Sequence, residues 1–196
     1  MTTDSTIDNT TQLDFSSHLQ TIELTRELLA DPINVIGQRL AQTLAKGGTL
    51  FWCGNGGSAA DSQHLAAELV GRFKKDRRAL RSIALTTDTS VLTCVANDYS
   101  FDDIFARQVE ALGRPGDVLI GISTSGNSEN VLRAFKAAKE MSMMTIALLG
   151  KGGGPAKELA DHALVIPSDS TARIQEAHIL IGHILCDLIE QELQLA

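Results

Sequence analysis

Two polar loops, each following a short apolar run, carry the residue types that hold phosphate. The first loop is Cys53-Gly-Asn-Gly-Gly-Ser58, and the second is Ser123-Thr-Ser-Gly-Asn-Ser128. Each has the pattern of a strand, a tight turn and then a helix, and a helix N-terminus offers unpaired N–H groups to an anion. Glycines let the backbone come close to a ligand, and hydroxyls add hydrogen-bond donors. The loops therefore predict a site for a phosphorylated small molecule.

The second loop is the stronger of the two indications. Ser58 stands at a helix start, where a serine can bind phosphate or simply cap the helix. Ser123, Thr124, Ser125 and Ser128 place four hydroxyls within six residues, whereas a cap needs only one. The loop has no Lys or Arg and does not fit the P-loop pattern. We therefore expect the phosphate to be held and not transferred.

Histidine, glutamate and glutamine side chains supply candidate acid–base or metal-binding groups. His64 and Glu68 are four residues apart, so they share one face of a helix and can meet one metal ion. Gln175 and His183 are separated by about 12 Å of helix rise. They can reach one metal only from opposite sides, or else a neighbouring subunit supplies some of the ligands. His178, one turn after Gln175, is a competing candidate.

Strands and helices alternate along the chain in a way that brings both loops to one edge of a sheet. We predict strands over residues 49–53, 82–85, 117–122, 144–149 and 163–166. Helices are predicted between them, including one from Ser58 to Lys75 and one over residues 101–112. Short, continuous apolar strands separated by helices predict a parallel sheet with helices on both faces. The fold class is therefore α/β, a three-layer α/β/α sandwich with a five-stranded, mainly parallel sheet. Ligands of such sheets bind at the carboxyl ends of the strands, where both loops lie.

The N-terminal region lies outside this sheet pattern. Residues 1–12 are polar and predict a disordered tail, followed by a single domain over residues 13–196. Apolar spacing predicts an amphipathic helix over residues 15–30, and Asp31-Pro32 reads as the start of a second helix to about residue 46. The apolar faces of these helices need partners, which favours a helical oligomer interface.

Composition excludes several classes of protein. The net charge is −7 with no basic run, so charge gives no reason to expect nucleic-acid binding. No apolar stretch reaches the length of a membrane span, and the polar N-terminus lacks the pattern of a signal peptide. Three cysteines cannot all pair, so a reducing cytoplasm fits best. The position of Cys53 at a strand end favours a buried small residue over a reactive thiol.

The stretch from about Gly47 to Leu193 resembles the SIS (sugar isomerase) domain family, which has a flavodoxin-like sheet, and within it the phosphoheptose isomerases. Together the motifs are very specific, although each alone is weak. The motifs that carry the resemblance are Cys53-Gly-Asn-Gly-Gly-Ser58, Gln63-His64-x-x-x-Glu68-Leu69, Asn97-Asp98, Gly121-Ile-Ser-Thr-Ser-Gly-Asn-Ser128 and Arg173-Ile-Gln-Glu-x-His178-x-x-x-x-His183.

The resemblance implies a homotetramer with active sites at subunit interfaces. It also implies isomerisation of sedoheptulose 7-phosphate to D-glycero-D-manno-heptose 7-phosphate, with Glu68 and His183 as the acid–base pair. Zinc, where bound, is implied at His64, Glu68, Gln175 and His183. The implied substrate-binding residues are Asn55, Gly56, Gly57, Ser58, Asn97, Asp98, Ser123, Thr124, Ser125, Ser128 and Gln175. Some family members carry Asp where this chain has Ala172, so that role is lost or moves to Asp169.

Three other functions compete with this interpretation. A related SIS protein is an adaptor that binds the replication initiator DnaA, but it lacks the glutamate and the last histidine that this chain has at Glu68 and His183. Gly54-x-Gly56-x-x-Ala59 fits a dinucleotide-binding pattern, but the acidic residue expected about 20 positions later is not at a strand end. SIS domains also occur in sugar-phosphate-sensing regulators, yet no DNA-binding helix-turn-helix accompanies this one.

Overall fold

The computed structural model describes residues 4–195 and the side chains of residues 9–195. Five strands alternate with seven α-helices in this part of the chain. The strands are β1 Leu50–Gly54, β2 Ser82–Ala84, β3 Val118–Ser123, β4 Met144–Leu149 and β5 His162–Val165. The helices are α1 Asp4–Ala45, α2 Gly57–Val70, α3 Thr89–Asp98, α4 Ala106–Leu112, α5 Glu129–Glu140, α6 Gly154–Leu159 and α7 Thr171–Glu192, with a 3₁₀ turn at Phe101–Asp103.

All five strands are parallel and follow the order β2-β1-β3-β4-β5. Successive side chains of a strand point to opposite faces, and both faces are apolar because both are covered. In β1, Trp52 packs on one face while Phe51 and Cys53 pack on the other, and all three are buried. The predicted α/β/α sandwich with a five-stranded parallel sheet is confirmed.

The helices divide between the two faces of the sheet. Side chains of α1, α2 and α7 share a core with Trp52, whereas side chains of α3, α4, α5 and α6 share the core around Phe51. The helix after β1 therefore leaves toward one face and the helix after β3 toward the other. Since β1 and β3 are neighbours, their carboxyl ends form the crevice where such sheets bind ligands. Both polar loops lie at this crevice.

The N-terminal region differs from the prediction. The structure has one helix, α1, where the sequence predicts a break at Asp31-Pro32, and Pro32 lies inside that helix. The helix already runs from Asp4, through most of the tail predicted over residues 1–12, while residues 1–3 lie outside the described part.

Packing against α7 explains the continuity of α1. Proline removes a single N–H donor, the one that would bond to the carbonyl of Leu28. The helix contacts α7 on both sides of that point: His18 Nδ1 lies 2.7 Å from Glu176 Oε2, and Gln38 Nε2 donates to Glu192 Oε1 over 3.4 Å. Tertiary contacts therefore outweigh the local signal.

Two smaller differences concern helix ends. The helix predicted from Ser58 to Lys75 ends at Val70, because Gly71 closes it and residues 71–81 form an irregular segment. The helix predicted over residues 101–112 is divided into the 3₁₀ turn and α4. Among the described residues, no helix combines the length and apolar character that crossing a bilayer requires.

Candidate active site

The first loop joins β1 to α2 through a glycine turn. Gly56 has a φ of +56°, a conformation that favours glycine, and α2 begins at Gly57. A Cβ added to Gly57 would lie 2.5 Å from Nε2 of Gln175, so the absence of a side chain lets the Gln175 amide sit against the loop. Ser58 is buried within the first turn, and no side chain caps α2. Helix capping therefore does not account for Ser58.

The second loop is ordered by its own hydroxyl groups. Ser123 Oγ accepts a hydrogen bond from the Gly126 N–H over 3.1 Å and lies 3.2 Å from Ser128 Oγ. Ser128 occupies the N-cap position of α5 without capping it. Gly126 has a φ of +67°, and a Cβ there would lie 1.9 Å from the carbonyl oxygen of Gly153, so only glycine fits. The loop is held in one shape that leaves a cluster of hydroxyls at the crevice.

A pair of amides ties the two loops together. Asn55 donates to Asn130 Oδ1 over 2.9 Å, and Asn130 donates back to Asn55 Oδ1 over 2.8 Å. Asn130 is buried in the first turn of α5, where polar residues are common, so the sequence gives no signal for this contact. The pair fixes the spacing of the two loops at the crevice between the carboxyl ends of β1 and β3.

The structure brings three of the predicted ionisable residues together. His64 Nε2 lies 3.0 Å from His183 Nε2 and 3.3 Å from Glu68 Oε1. One ligand atom from each residue falls within 4.8 Å of the other two, a spacing that could hold a metal ion. His64 and Glu68 come from α2 and His183 comes from α7, so a single chain assembles this cluster.

Close approach of α2 and α7 makes the cluster possible. A Cβ at Gly182 would lie 2.5 Å from both δ-carbons of Leu65, so the two helices touch at this glycine. His64 directly precedes Leu65 on α2, and His183 directly follows Gly182 on α7. The two imidazole rings meet edge to face with centroids 5.1 Å apart. Gly182 therefore sets the distance between the two imidazoles.

Asp61 lies near this cluster and was not among the residues predicted from the sequence. Burial raises the pKa of the Asp61 carboxyl, and the charges of His64 and His183 act in the opposite direction. Asp61 precedes His64 by three residues and so shares its helix face. This three-residue spacing could have identified Asp61 from the sequence as a neighbour of His64.

The other histidine candidate and the glutamine lie apart from the cluster. His178 is fully buried, and its Nε2 donates to the carbonyl of Leu149 over 3.0 Å. Burial lowers the pKa of His178 to about 4, so this residue is a neutral core histidine and the competing assignment as a ligand was wrong. The Gln175 amide rests beside Gly57, two turns of α7 away from His183. Its role as a fourth ligand stays a prediction.

The remaining candidates lie at the ends of helices. Asn97 and Asp98 are exposed at the C-terminal end of α3, where Asn97 Nδ2 donates to Asp98 Oδ1 over 2.8 Å. Their contact with a substrate stays a prediction. Asp169 is exposed just before α7, whose N-cap position is Ser170. Burial raises the pKa of Cys53 to about 12, which confirms that this thiol is a buried small residue.

Comparison with known proteins places this site in a family. The family model described as SIS domain matches residues 15–150, so fold and site define a SIS domain protein. A phosphoheptose isomerase of Campylobacter jejuni is 57% identical over 93% of this chain and 98% of its own length. A Helicobacter pylori phosphoheptose isomerase is 53% identical over 94% of this chain and 96% of its own length. The chain therefore belongs to the phosphoheptose isomerase family.

A solved structure agrees with this assignment. The phosphoheptose isomerase of Neisseria gonorrhoeae superposes with a TM-score of 0.90 at 45% identity, and the match covers 94% of this chain and 99% of that one. The shared fold extends over almost the whole of both chains.

Proposed function

We propose that this chain is an aldose–ketose isomerase that converts sedoheptulose 7-phosphate to D-glycero-D-manno-heptose 7-phosphate. The reaction moves a proton between C1 and C2 through an enediolate and exchanges the carbonyl and hydroxyl groups. The observation that carries the proposal is the convergence of His64, Glu68 and His183 beside the second half of α2, the helix that begins at the phosphate loop. We propose that the two loops hold the phosphate and that this cluster moves the protons.

The separation of these two parts suits a seven-carbon substrate. Ser58 and His64 are six residues apart on α2, which corresponds to about 9 Å of helix rise. In an extended heptose 7-phosphate, standard bond lengths place C2 about 9 Å from the phosphorus atom. A phosphate at the loop would therefore bring C1 and C2 to the level of the His64, Glu68 and His183 cluster.

The side chains present suit the two proton transfers. Isomerisation needs a base for the carbon-bound proton and an acid for the oxygen, and positioned side chains typically accelerate such steps by 10²–10⁴-fold. We assign Glu68 as the base and His183 as the acid. Hydrogen bonds aimed at the developing enediolate oxygens would lower the barrier further.

The cluster also has the donor set of a zinc site. Two imidazole nitrogens and one carboxylate oxygen are ordinary zinc ligands, and a zinc ion with four ligands can take a fifth in the transition state. Two nitrogens that share a tetrahedral zinc ion would be about 3.3 Å apart, close to the 3.0 Å between His64 Nε2 and His183 Nε2. We propose zinc at His64, Glu68 and His183, with Gln175 as the fourth ligand. When bound, it would polarise the carbonyl and hydroxyl oxygens of the sugar.

We further propose that the protein is a homotetramer that works in the cytoplasm. Large apolar side chains along α1 are exposed in the single chain, among them Leu13, Phe15, Leu19 and Leu28. Exposed apolar side chains of this size are typical of an interface. All three cysteines are unpaired, as expected in a reducing compartment.

Turnover and metal content, measured on the same preparation, test this proposal. The purified protein is assayed with sedoheptulose 7-phosphate as isolated, after chelation and after zinc is added back, and the product is identified by NMR. We expect turnover that chelation removes and zinc restores. No turnover in any of the three states, from a protein of stable quaternary structure, would favour the adaptor that binds DnaA.

A further inference from the structure

We propose that Phe73 is a positioning residue for His183, and that a buried Arg77–Glu190 ion pair holds Phe73 in place. The inference deepens the proposed function, on which it rests, because His183 is the residue assigned as the acid. Phe73, Arg77 and Glu190 do not belong to the site predicted from the sequence.

The aromatic ring of Phe73 lies flat against the imidazole of His183. The ring centroids are 5.4 Å apart and the planes differ by 23°, which is a stacked arrangement. The His64 ring meets the same imidazole edge to face at 5.1 Å. Aromatic pairs in these geometries attract one another. The His183 ring is thus bounded by two rings, which limits its rotation and directs Nε2 toward His64 and Glu68.

The backbone around Phe73 is anchored by one carboxylate. The N–H groups of Phe73 and Lys74 donate to the two oxygens of Glu190, over 3.1 and 3.2 Å. Phe73 lies in the irregular segment after α2, where no ladder of backbone hydrogen bonds holds it. Glu190 is part of α7, the helix that carries His183. The carboxylate therefore fixes Phe73 relative to the helix of the residue on which it stacks.

Arg77 completes the anchor and links it to Glu68. Arg77 Nε donates to Glu190 Oε1 over 2.8 Å, and both side chains are at most 1% exposed. The same guanidinium donates to the backbone carbonyls of Glu68 and Leu69, each over 2.8 Å, and to that of Gly71 over 2.9 Å. These carbonyls end α2 and lack helical partners. One guanidinium thus connects the backbone of the proposed base to the anchor of Phe73.

The energetics favour a role beyond stability. Burying two charges has a large desolvation cost, and apolar residues of the same volume are often as stable or more stable. Burial pushes the pKa of Glu190 up, but the N–H groups of Phe73 and Lys74 and the guanidinium of Arg77 outweigh it and hold that pKa below its usual range. The carboxylate is therefore kept charged and fully bonded, as a fixed anchor requires.

Phe73→Leu is the direct test, because it removes the flat ring and keeps an apolar side chain. We expect kcat for sedoheptulose 7-phosphate and the affinity for zinc each to fall 3- to 30-fold, with KM changed less than 2-fold because the phosphate loops are untouched. Phe73→Tyr, the matched control, keeps the ring and should retain both values. Equal values in wild type and Phe73→Leu, or equal losses in both variants, would overturn the inference.

The anchor needs a variant that folds. Arg77→Met alone leaves the Glu190 charge buried without its partner, so the double variant Arg77→Met/Glu190→Met is the one to use. It keeps the volume and removes both charges. We expect it to fold, as judged by circular dichroism and a cooperative unfolding transition, and to lose kcat and zinc affinity as Phe73→Leu does. A folded double variant with wild-type values would show that the ion pair does not position Phe73.

A third readout separates this inference from the proposed function. Diethylpyrocarbonate modifies accessible imidazoles, and peptide mass spectrometry gives the rate at His183 in the metal-free protein. We expect at least a 3-fold faster reaction in Phe73→Leu and an unchanged rate in Phe73→Tyr. This difference would stand even if wild type neither isomerised the sugar nor bound zinc, and equal rates in all three proteins would contradict the stacking role.

Discussion

The hydroxyl of Thr124 is the clearest test of the phosphate loop at the level of single residues. Ser123 and Ser125 also hydrogen-bond within the loop, whereas the Thr124 hydroxyl has no partner among the described residues. Replacing it with Val keeps the shape and removes one donor. Because the phosphate is remote from C1 and C2, we expect Thr124→Val to raise KM 3- to 10-fold and to lower kcat less.

Steady-state kinetics with sedoheptulose 7-phosphate give both constants, and Thr93→Val on the exposed surface of α3 is the matched control. Ser125→Ala should show the same pattern, with an added effect on the loop because Ser125 Oγ accepts from the Asn127 N–H over 3.2 Å. A fall in kcat with unchanged KM in Thr124→Val would argue against phosphate at this loop.

His178 predicts how stability depends on pH. Its pKa is about 4 in the folded chain, below the ordinary value of 6.5, so the unfolded state binds more protons between these values. Stability should therefore fall as the pH drops through this window, by about 2 kcal/mol between pH 7 and pH 4.5. Denaturant unfolding at both pH values measures it.

His178→Leu is the comparison, because a leucine cannot take up the proton. We expect its loss of stability between pH 7 and pH 4.5 to be smaller than that of wild type by this same amount. An identical pH dependence in the two proteins would mean that His178 titrates normally in the fold.

Some site residues were predictable because they follow regular spacing. The four-residue step between His64 and Glu68 places them on one face, and the resemblance adds His183. Phe73 could not be found in this way, because its link to His183 depends on a segment whose path is fixed by Glu190, 117 residues further along the chain. Asn130 was missed for the same reason: its partner Asn55 is 75 residues away.

At the scale of elements, the contact between α2 and α7 should control the cluster. A Cβ at Gly182 would lie 2.5 Å from Leu65, so Gly182→Ala must push the helices apart. Overpacking of this kind costs about 1–3 kcal/mol, partly offset by the better helix propensity of alanine. We expect a larger effect on the site than on stability, with zinc affinity and kcat reduced about 10-fold.

Zinc competition and steady-state kinetics test this prediction, and a second substitution supplies its control. Leu65→Val shortens the side chain that a Cβ at position 182 would meet, so Gly182→Ala/Leu65→Val should recover part of the zinc affinity. Wild-type affinity in Gly182→Ala would show that the spacing of the two helices does not set the cluster.

The sequence predicts the sheet better than the helix ends. Each strand was predicted within one residue at both ends, because short apolar runs between polar turns are a local signal. The break expected at Pro32 did not appear, since contacts with α7 outweigh one missing hydrogen bond. The end of α2 at Val70 depends on Gly71 and on Arg77. The guanidinium of Arg77 donates a hydrogen bond to the carbonyl of Gly71, a contact that only the three-dimensional structure shows.

At the scale of the whole molecule, the exposed apolar side chains of α1 predict an assembly. Leu19 and Leu28 are 66% and 59% exposed in the single chain, which is costly unless other copies cover them. We expect Leu19→Asp/Leu28→Asp to dissociate the proposed tetramer and to lower turnover, because the active sites are expected at subunit interfaces. Light scattering coupled to size exclusion measures the mass, and Glu158→Gln on exposed α6 is the control.

A variant that stays tetrameric would place the interface elsewhere on the surface. A variant that dissociates and keeps full turnover would instead separate assembly from activity, and would mean that one chain forms a complete active site. His64, Glu68 and His183 come together within a single chain. The experiment therefore distinguishes an active site that one chain completes from one that needs a neighbouring subunit.

The most direct test of the account compares turnover of sedoheptulose 7-phosphate by wild type and by Glu68→Gln, with Glu158→Gln as the matched control. Glu68→Gln removes the proposed base and keeps the shape of the side chain. We predict that wild type and Glu158→Gln form D-glycero-D-manno-heptose 7-phosphate, and that Glu68→Gln is at least about 100-fold slower while its fold and phosphate binding are retained. Near wild-type turnover in Glu68→Gln, or no turnover in wild type, would contradict the account.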